Sequence, residues 1–329
     1  MPRQPAATST LSSSKVSTLP TALWALLPKT NLARPAVTCV ESGVELSHRE
    51  VQDISLSFAG RLTRDLGYAA GDKLGLVLGG NCVESVIAQL GAAAAGVTVV
   101  TAAKPEDNVL EGCRGIVVST NVLGERPPQG LLQGEKHPPI VAHDDYGVGS
   151  ASVALFWQGV VDCRPMDISK ATSDHSLNFA VYGGAKATDR YLTQGQVSKL
   201  AQDMVAEIQL TDSDRVVVPV SLAHSYSFGS GVMATLMVGG TVILPSANPD
   251  TQKTVTAVHD EEATVLFLDR DFLKILRQED VSISSPKLRQ GILKIGSGWA
   301  FHQEPEKFKD YSGLPLVTVG RALPKRTSW

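Results

Sequence analysis

Short runs of apolar, β-branched residues recur down the second half of this chain at nearly constant spacing. "RVVVPV" begins at residue 215, "TVIL" at 241, "TVLFL" at 264, "GILKI" at 291 and "LVTV" at 316, about one unit every 25 residues. These runs are continuous rather than alternating, as suits strands covered on both faces. Helical patterns fill the intervals. Strands joined through helices run parallel with right-handed crossovers. The spacing is the rhythm of a doubly wound α/β sheet, not of a solenoid.

The first half reads the same way. Ser47 with Glu50 three residues on is a capping box. Ile54, Phe58, Leu62 and Leu66 follow at helical spacing, and Gly67 is expected to close that helix. "KLGLVLG" (73–79) reads as a strand, Asn81 as the cap of a second helix, and "VTVV" (97–100) as the next strand. Residues 121–150 hold five glycines and four prolines, which predicts a surface connection over 119–150. The pattern resumes at "LNFAVY" (177–182), and Thr193 opens a helix carrying Val197, Leu200, Met204, Val205 and Ile208 on one face. The expected architecture is α/β, with two doubly wound lobes of largely parallel sheets flanked by helices. The expected division is an extension over 1–34, a first lobe over 35–165 and a second over 166–329.

Composition excludes several functions. A formal charge of −3 over 329 residues, with no Lys/Arg run, gives no footprint for nucleic acid. Cys39, Cys82, Cys113 and Cys163 form no C-x-x-C pair, and no metal-ligand spacing occurs. No apolar run approaches the roughly 18 residues of a membrane helix, so no transmembrane segment is expected. Residues 1–40 contain no acid but include Arg3, Lys15, Lys29 and Arg34 among dense Ser and Thr. Two readings of that stretch stand, a mitochondrial transit segment and a polar tail. Residues 1–34 also lack enough apolar pattern to order themselves alone, which predicts a docking arm on partner chains. "LPKRTSW" at the other end, with Trp329, invites the same expectation.

The order of four segments carries a resemblance. "LSHREVQDISLSFAGRLTRDLGYAAGDKLGLVLGGNCVESVIAQLGAAAAGVTVV" (46–100) resembles the amino-terminal lobe of adenylate-forming (AMP-binding) enzymes, the acyl-CoA synthetase and luciferase superfamily. "VVVPVSLAHSYSFGSGVMATLMVGGTVIL" (216–244), "LRQGILKIGSGW" (288–299) and "VGRALP" (319–324) are similar to later segments of that family in the same order. The resemblance implies a chemistry in which a carboxylate attacks the α-phosphate of ATP and a thiol such as CoA then opens the acyl-adenylate.

That chemistry needs groups that can be sought residue by residue. A loop rich in Ser, Thr and Gly and ending in Pro-Lys-Gly cradles the leaving phosphates in the family. The matching stretch here is "AVYGGAKATDR" (180–190). Gly183 and Gly184 are kept, the hydroxyls are reduced to Thr188, Lys186 is the one lysine, and Asp189 sets a negative charge where triphosphate would lie. A Thr-Glu pair ending a strand, which touches AMP and holds Mg²⁺ in the family, falls on Ala322 and Leu323 or is deleted, depending on alignment. The resemblance also implies a mobile lid bearing a lysine after residue 329, and the expectation is a member lacking that lid.

The resemblance places His224 at a pocket histidine near the acyl group, and Gly296 and Gly298 at an adenine-sized groove. Packing under a loop is the preferred reading of His224, and a tight strand-to-helix turn needs the same glycines. Tyr182 and Tyr226 read as core or rim aromatics, and Asp144-Asp145 as a solvated turn. The sequence therefore predicts a vestigial cleft made of Gly183, Gly184, Lys186, Thr188, His224, Gly296 and Gly298. No catalytic residue, metal or cofactor is expected. The predicted role is a non-catalytic accessory or scaffold subunit on the mitochondrial matrix side, contacting other subunits partly through both termini, with a respiratory-chain-type complex as the expected setting. Two alternatives remain open: an adenylating half completed by another chain, and a module that binds an acyl group, CoA or a nucleotide without turnover.

Overall fold

The computed structural model describes residues 31–102, 108–119, 140–142, 160, 163–172, 174–182, 190–295, 300–303 and 316–320. In chain order the elements begin with β1 (Pro35–Cys39), β2 (Val44–Ser47), α1 (His48–Gly60), β3 (Lys73–Val77), α2 (Val83–Ala95), β4 (Thr98–Thr101), β5 (Gly115–Ser119) and β6 (Ile140–Ala142). Next come β7 (Asn178–Tyr182), β8 (Arg190–Thr193), α3 (Gln194–Ile208), β9 (Arg215–Val217) and a wide π-helical stretch, Tyr226–Met233, that runs into α4 (Ala234–Val238). The rest is β10 (Thr241–Leu244), α5 (Thr251–Asp260), β11 (Val265–Asp269), α6 (Arg270–Gln278), β12 (Gln290–Ile295), β13 (Ala300–Gln303) and β14 (Leu316–Gly320).

Two sheets result. The larger has the order β13-β14-β12-β11-β9-β10-β1-β2 and the smaller β6-β5-β3-β4-β7-β8. From β14 to β1 every pairing in the larger sheet is parallel, and β13 and β2 close its two edges antiparallel. The smaller sheet is parallel from β6 to β7, and antiparallel β8 closes one edge. The expected α/β architecture with largely parallel sheets is what forms.

The sheets do not divide the chain at residue 165. β1 and β2 lie in the larger sheet, where Val37 pairs with Val242, and β7 and β8 lie in the smaller one, where Val99 pairs with Ala180. The sheets exchange segments because β1 and β7 join parallel edges distant in sequence, and β2 and β8 then fold back antiparallel on them. The expected surface connection over 119–150 also needs correction, since Ile140–Ala142 adds a parallel strand beside β5. β5 itself, "GIVVS", has no counterpart in the sequence reading.

Local signals held where the chemistry is local. The Ser47 hydroxyl accepts the Glu50 N–H at 3.3 Å while the Glu50 carboxylate accepts the Ser47 N–H at 2.8 Å. Thr193 and Gln196 form the same box at the start of α3. Helix α1 runs on into a π-type turn, Arg61–Asp65, before Gly67 turns the chain at φ +65°.

Helix α2 is buried along its whole length and touches β4 of one sheet and β1 of the other. Its small residues let α1 approach: a Cβ on Gly91 would stand 2.6 Å from the Ser55 carbonyl oxygen. Most buried apolar side chains form one continuous core. A smaller cluster of Val77, Val100, Leu110, Val118 and Val181 covers a face of the smaller sheet.

Candidate functional site

Parallel sheets place their ligand crevices beyond the carboxyl ends of their strands. Here the loops leaving β3, β4, β9 and β10 meet around a cavity of about 360 Å³. The smaller sheet supplies Leu76, Leu78, Gly79, Gly80 and Thr101, and the larger supplies Ser221, His224, Ala247, Asn248 and Pro249. Among the described residues, every lining side chain is apolar or uncharged apart from the imidazole.

Each wall has a local cause. Gly80 lets two loops touch, because a Cβ there would lie 2.5 Å from the Ala247 carbonyl oxygen. Ala247 is fixed from both sides: its N–H donates to the Glu41 carboxylate and its carbonyl accepts the Asn81 N–H, each at 2.8 Å. The Lys253 ammonium, with that amide, holds the Glu41 carboxyl below the usual carboxylate range. Thr101, the last residue of β4, reaches the carbonyls of Val181 and Ala223 at 3.4 and 3.5 Å.

Asn81 does not cap α2 as expected. Cys82 takes the cap position with no side-chain cap bond. The Asn81 amide, 2% exposed, instead spans the gap between the sheets, donating to the Val220 carbonyl at 3.0 Å and accepting the Leu222 N–H at 2.8 Å.

His224 is brought to the cavity wall. Its Nδ1 accepts the Tyr226 N–H at 3.2 Å, so the proton of the neutral ring resides on Nε2. Tyr226 is a core residue, as expected. Its hydroxyl lies 3.0 Å from the carbonyls of both Leu268 and Ile292, and burial pushes the phenol well above its ordinary range. Gly183, Gly184, Lys186, Thr188, Gly296 and Gly298 lie outside the described residues, as do Ala322, Leu323 and Asp144-Asp145. The flank before the glycines is placed: β7 ends at Tyr182, the register partner of Thr101.

Among the described residues no group of three or more His, Cys, Asp or Glu could hold a metal ion. All four cysteines are free thiols, and burial pushes that of Cys113 up to about 11. No helix among them is long and apolar enough to cross a membrane.

Comparison with known proteins gives the family. The profile described as AMP-binding enzyme matches residues 27–104 and 189–328, more than half of the chain. The chain belongs to that family. Among solved structures, a benzoate CoA ligase from Burkholderia xenovorans LB400 superposes with a TM-score of 0.72 at 20% identity, covering 92% of this chain and 60% of the ligase. The N-terminal domain of FACL13 from Mycobacterium tuberculosis gives 0.71 at 18% identity, covering 94% of this chain and 76% of that one. Among curated proteins, a feruloyl-CoA synthase from Amycolatopsis is 30% identical over 107 residues, which are 32% of this chain and 22% of the synthase. This AMP-binding family chain thus spans about three-fifths of the benzoate CoA ligase and matches less than a quarter of that curated relative.

Sequence reasoning missed the residues that hold the cavity's walls together. Asn81, Gln89 and Thr101 make bonds that cross between sheets, and no local pattern marks them. The pair "GG" before Asn81 was the available signal, since two glycines after a buried strand mark a close approach of backbone.

Proposed function

We propose that this AMP-binding family chain is non-catalytic and serves as an accessory subunit of a larger protein assembly on the mitochondrial matrix side. One observation carries the loss of catalysis. The family profile stops at residue 104 and resumes at 189, so "GGAKATD" (183–189) falls almost wholly in the unmatched interval. That stretch offers one hydroxyl and an added carboxylate where phosphates need hydroxyls, amides and positive charge. Removing a single fixed oxyanion donor costs an enzyme about 10²–10³ in rate, and here several are altered together. The acid-free, Ser/Thr-rich extension supports the matrix placement and the docking role.

Purified protein is expected to show no carboxylate-dependent ATP–pyrophosphate exchange. Exchange well above background with a fatty, aryl or amino acid overturns the reading. In lysate the native protein is expected to run far above its own 34.9 kDa. Deletion of residues 1–34 is expected to release it as a smaller species.

The cavity favours a second reading, a binding module. Its lining among the described residues, which carries no Lys or Arg, fits an apolar or amide-bearing group better than a triphosphate. A thermal shift with acyl-CoA but none with ATP–Mg²⁺ supports that reading. A tight ATP site by calorimetry excludes it.

A further inference from the structure

The wall that carries His224 is built from chain with no secondary structure of its own. Residues 218–224 leave β9 and reach the π-helical stretch without forming strand or helix, so their backbone groups need partners from elsewhere. Val218 donates to the Ile243 carbonyl at 2.9 Å, which extends the sheet by one bond. Beyond that point Ser221 and Ser227 serve the Ala223 N–H and the Ser221 carbonyl locally, and residues after β3, on α2 and at the end of β4 serve Val220, Leu222 and the Ala223 carbonyl. Asn81 holds the Val220 carbonyl and the Leu222 N–H, two positions apart, with the donor and acceptor ends of one amide. Gln89, itself fully buried, reaches the Leu222 carbonyl at 3.4 Å, and Thr101 the Ala223 carbonyl at 3.5 Å. Asn81 makes the shortest of these contacts, and its own N–H is spent on Ala247 in the opposite wall. One residue therefore ties both larger-sheet walls of the cavity, 218–224 and 247–249, to the loop after β3.

We propose that Asn81 is the positioning residue of this cleft: its buried amide sets the path of residues 220–222 and thereby fixes the His224 ring in the tautomer that accepts from Tyr226. The inference does not depend on whether the chain turns over a substrate, because it concerns the shape of the wall. An asparagine suits the task because its side chain presents a donor and an acceptor in one plane, matching a carbonyl and an N–H two residues apart. Alanine leaves both backbone groups buried and unpaired, and the segment must move to hydrate them.

The test separates positioning from general stability. In ¹⁵N spectra of the full chain, with the His224 ring assigned by comparison with His224→Gln, Nδ1 is expected at an acceptor shift and Nε2 at a protonated one. Asn81→Ala is expected to move both signals toward the tautomer average. Leu276→Ala, on α6 and lining none of the cavity, is expected to lower the melting temperature while leaving them in place. Asn81→Asp keeps an acceptor for Leu222 and loses the donor to Val220, so it is expected to move the signals in the same direction but less far. It serves as the measurement if Asn81→Ala does not fold. Unmoved His224 signals in the folded Asn81 variant, or equal movement in Leu276→Ala, overturn the proposal.

Discussion

The two ends of the larger sheet have been treated differently. At the amino ends of its strands, Asp214 precedes β9, Thr264 precedes β11 and Arg289 precedes β12, and the three close on one another. Arg289 donates to Asp214 through Nε and Nη2 at 3.0 and 2.9 Å, and Thr264 adds a bond of 2.7 Å. The Thr211 N–H adds another at 2.8 Å, and Arg289 also holds the Ile208 carbonyl. Every group in this hub is satisfied by a named partner. At the carboxyl ends, the loops after β9 and β10 form walls of the cavity, and Asn81 of the loop after β3 bonds to both. The amino end is thus closed by residues at its own strand starts and the turn before them, whereas the walls at the carboxyl end are tied across to the other sheet.

The largest effect that would test this contrast lies at the hub. Asp214→Ala leaves the Arg289 guanidinium and the Thr211 N–H without their acceptor. Breaking a buried pair costs about 3–5 kcal/mol, and the low end applies because the Arg289 side chain is 38% exposed while that of Asp214 is 5%. Urea unfolding is expected to show a loss of about 3 kcal/mol. A loss under about 1 kcal/mol, the scale of an exposed pair, would mean the amino end is no more constrained than the cleft.

The hub also predicts a pH dependence, and a second buried group adds an earlier one. Burial would raise the Asp214 carboxyl, but bonds from Arg289, Thr264 and the Thr211 amide together hold it below the usual carboxylate range. Its folded value is depressed, so its stabilisation is present above the unfolded value of about 3.9 and is lost as pH falls through the folded one. His48, 1% exposed and bonded to the Gly240 carbonyl, is pushed down by burial, against that bond, with the Arg34 charge adding to the fall. Its neutral form suits the fold, so stability begins to fall below about pH 6.5. Acid titration of unfolding free energy is expected to fall in two stages, and His48→Gln is expected to remove the upper stage alone. A single fall confined below pH 4 would show that His48 plays no part.

Much of the fold was legible because its signals are local. The capping boxes at Ser47 and Thr193 involve residues three apart, and the buried runs mark parallel strands without reference to their neighbours. What escaped depends on distant pairing. β1 joins β10 some 200 residues later, which no composition near residue 35 announces. Asn81 shows the limit within one residue. Its position before a helical pattern reads as a cap, yet its amide is committed to Val220 and Leu222 across the molecule. Of the predicted cleft, His224 alone falls among the described residues. The sequence marked His224, but the groups that hold its wall come from the other sheet.

The smallest expected effect lies at the cleft, and it sharpens the contrast most. His224 is exposed, and its ring accepts the Tyr226 N–H at 3.2 Å. Glutamine can offer an acceptor near the same place without a ring. If the carboxyl end is no longer under the demands of a reaction, His224→Gln is expected to change unfolding free energy by no more than about 0.5 kcal/mol, the range of surface substitutions. Under the accessory-subunit reading it is also expected to leave co-migration with the assembly intact. Under the binding reading the same variant keeps its stability but loses the thermal shift given by acyl-CoA. One substitution thus separates the two readings, because the scaffold has no use for the imidazole and the binder does. A loss of several kcal/mol would instead make His224 a packing residue, and the division of labour between the two ends would fail at its plainest point.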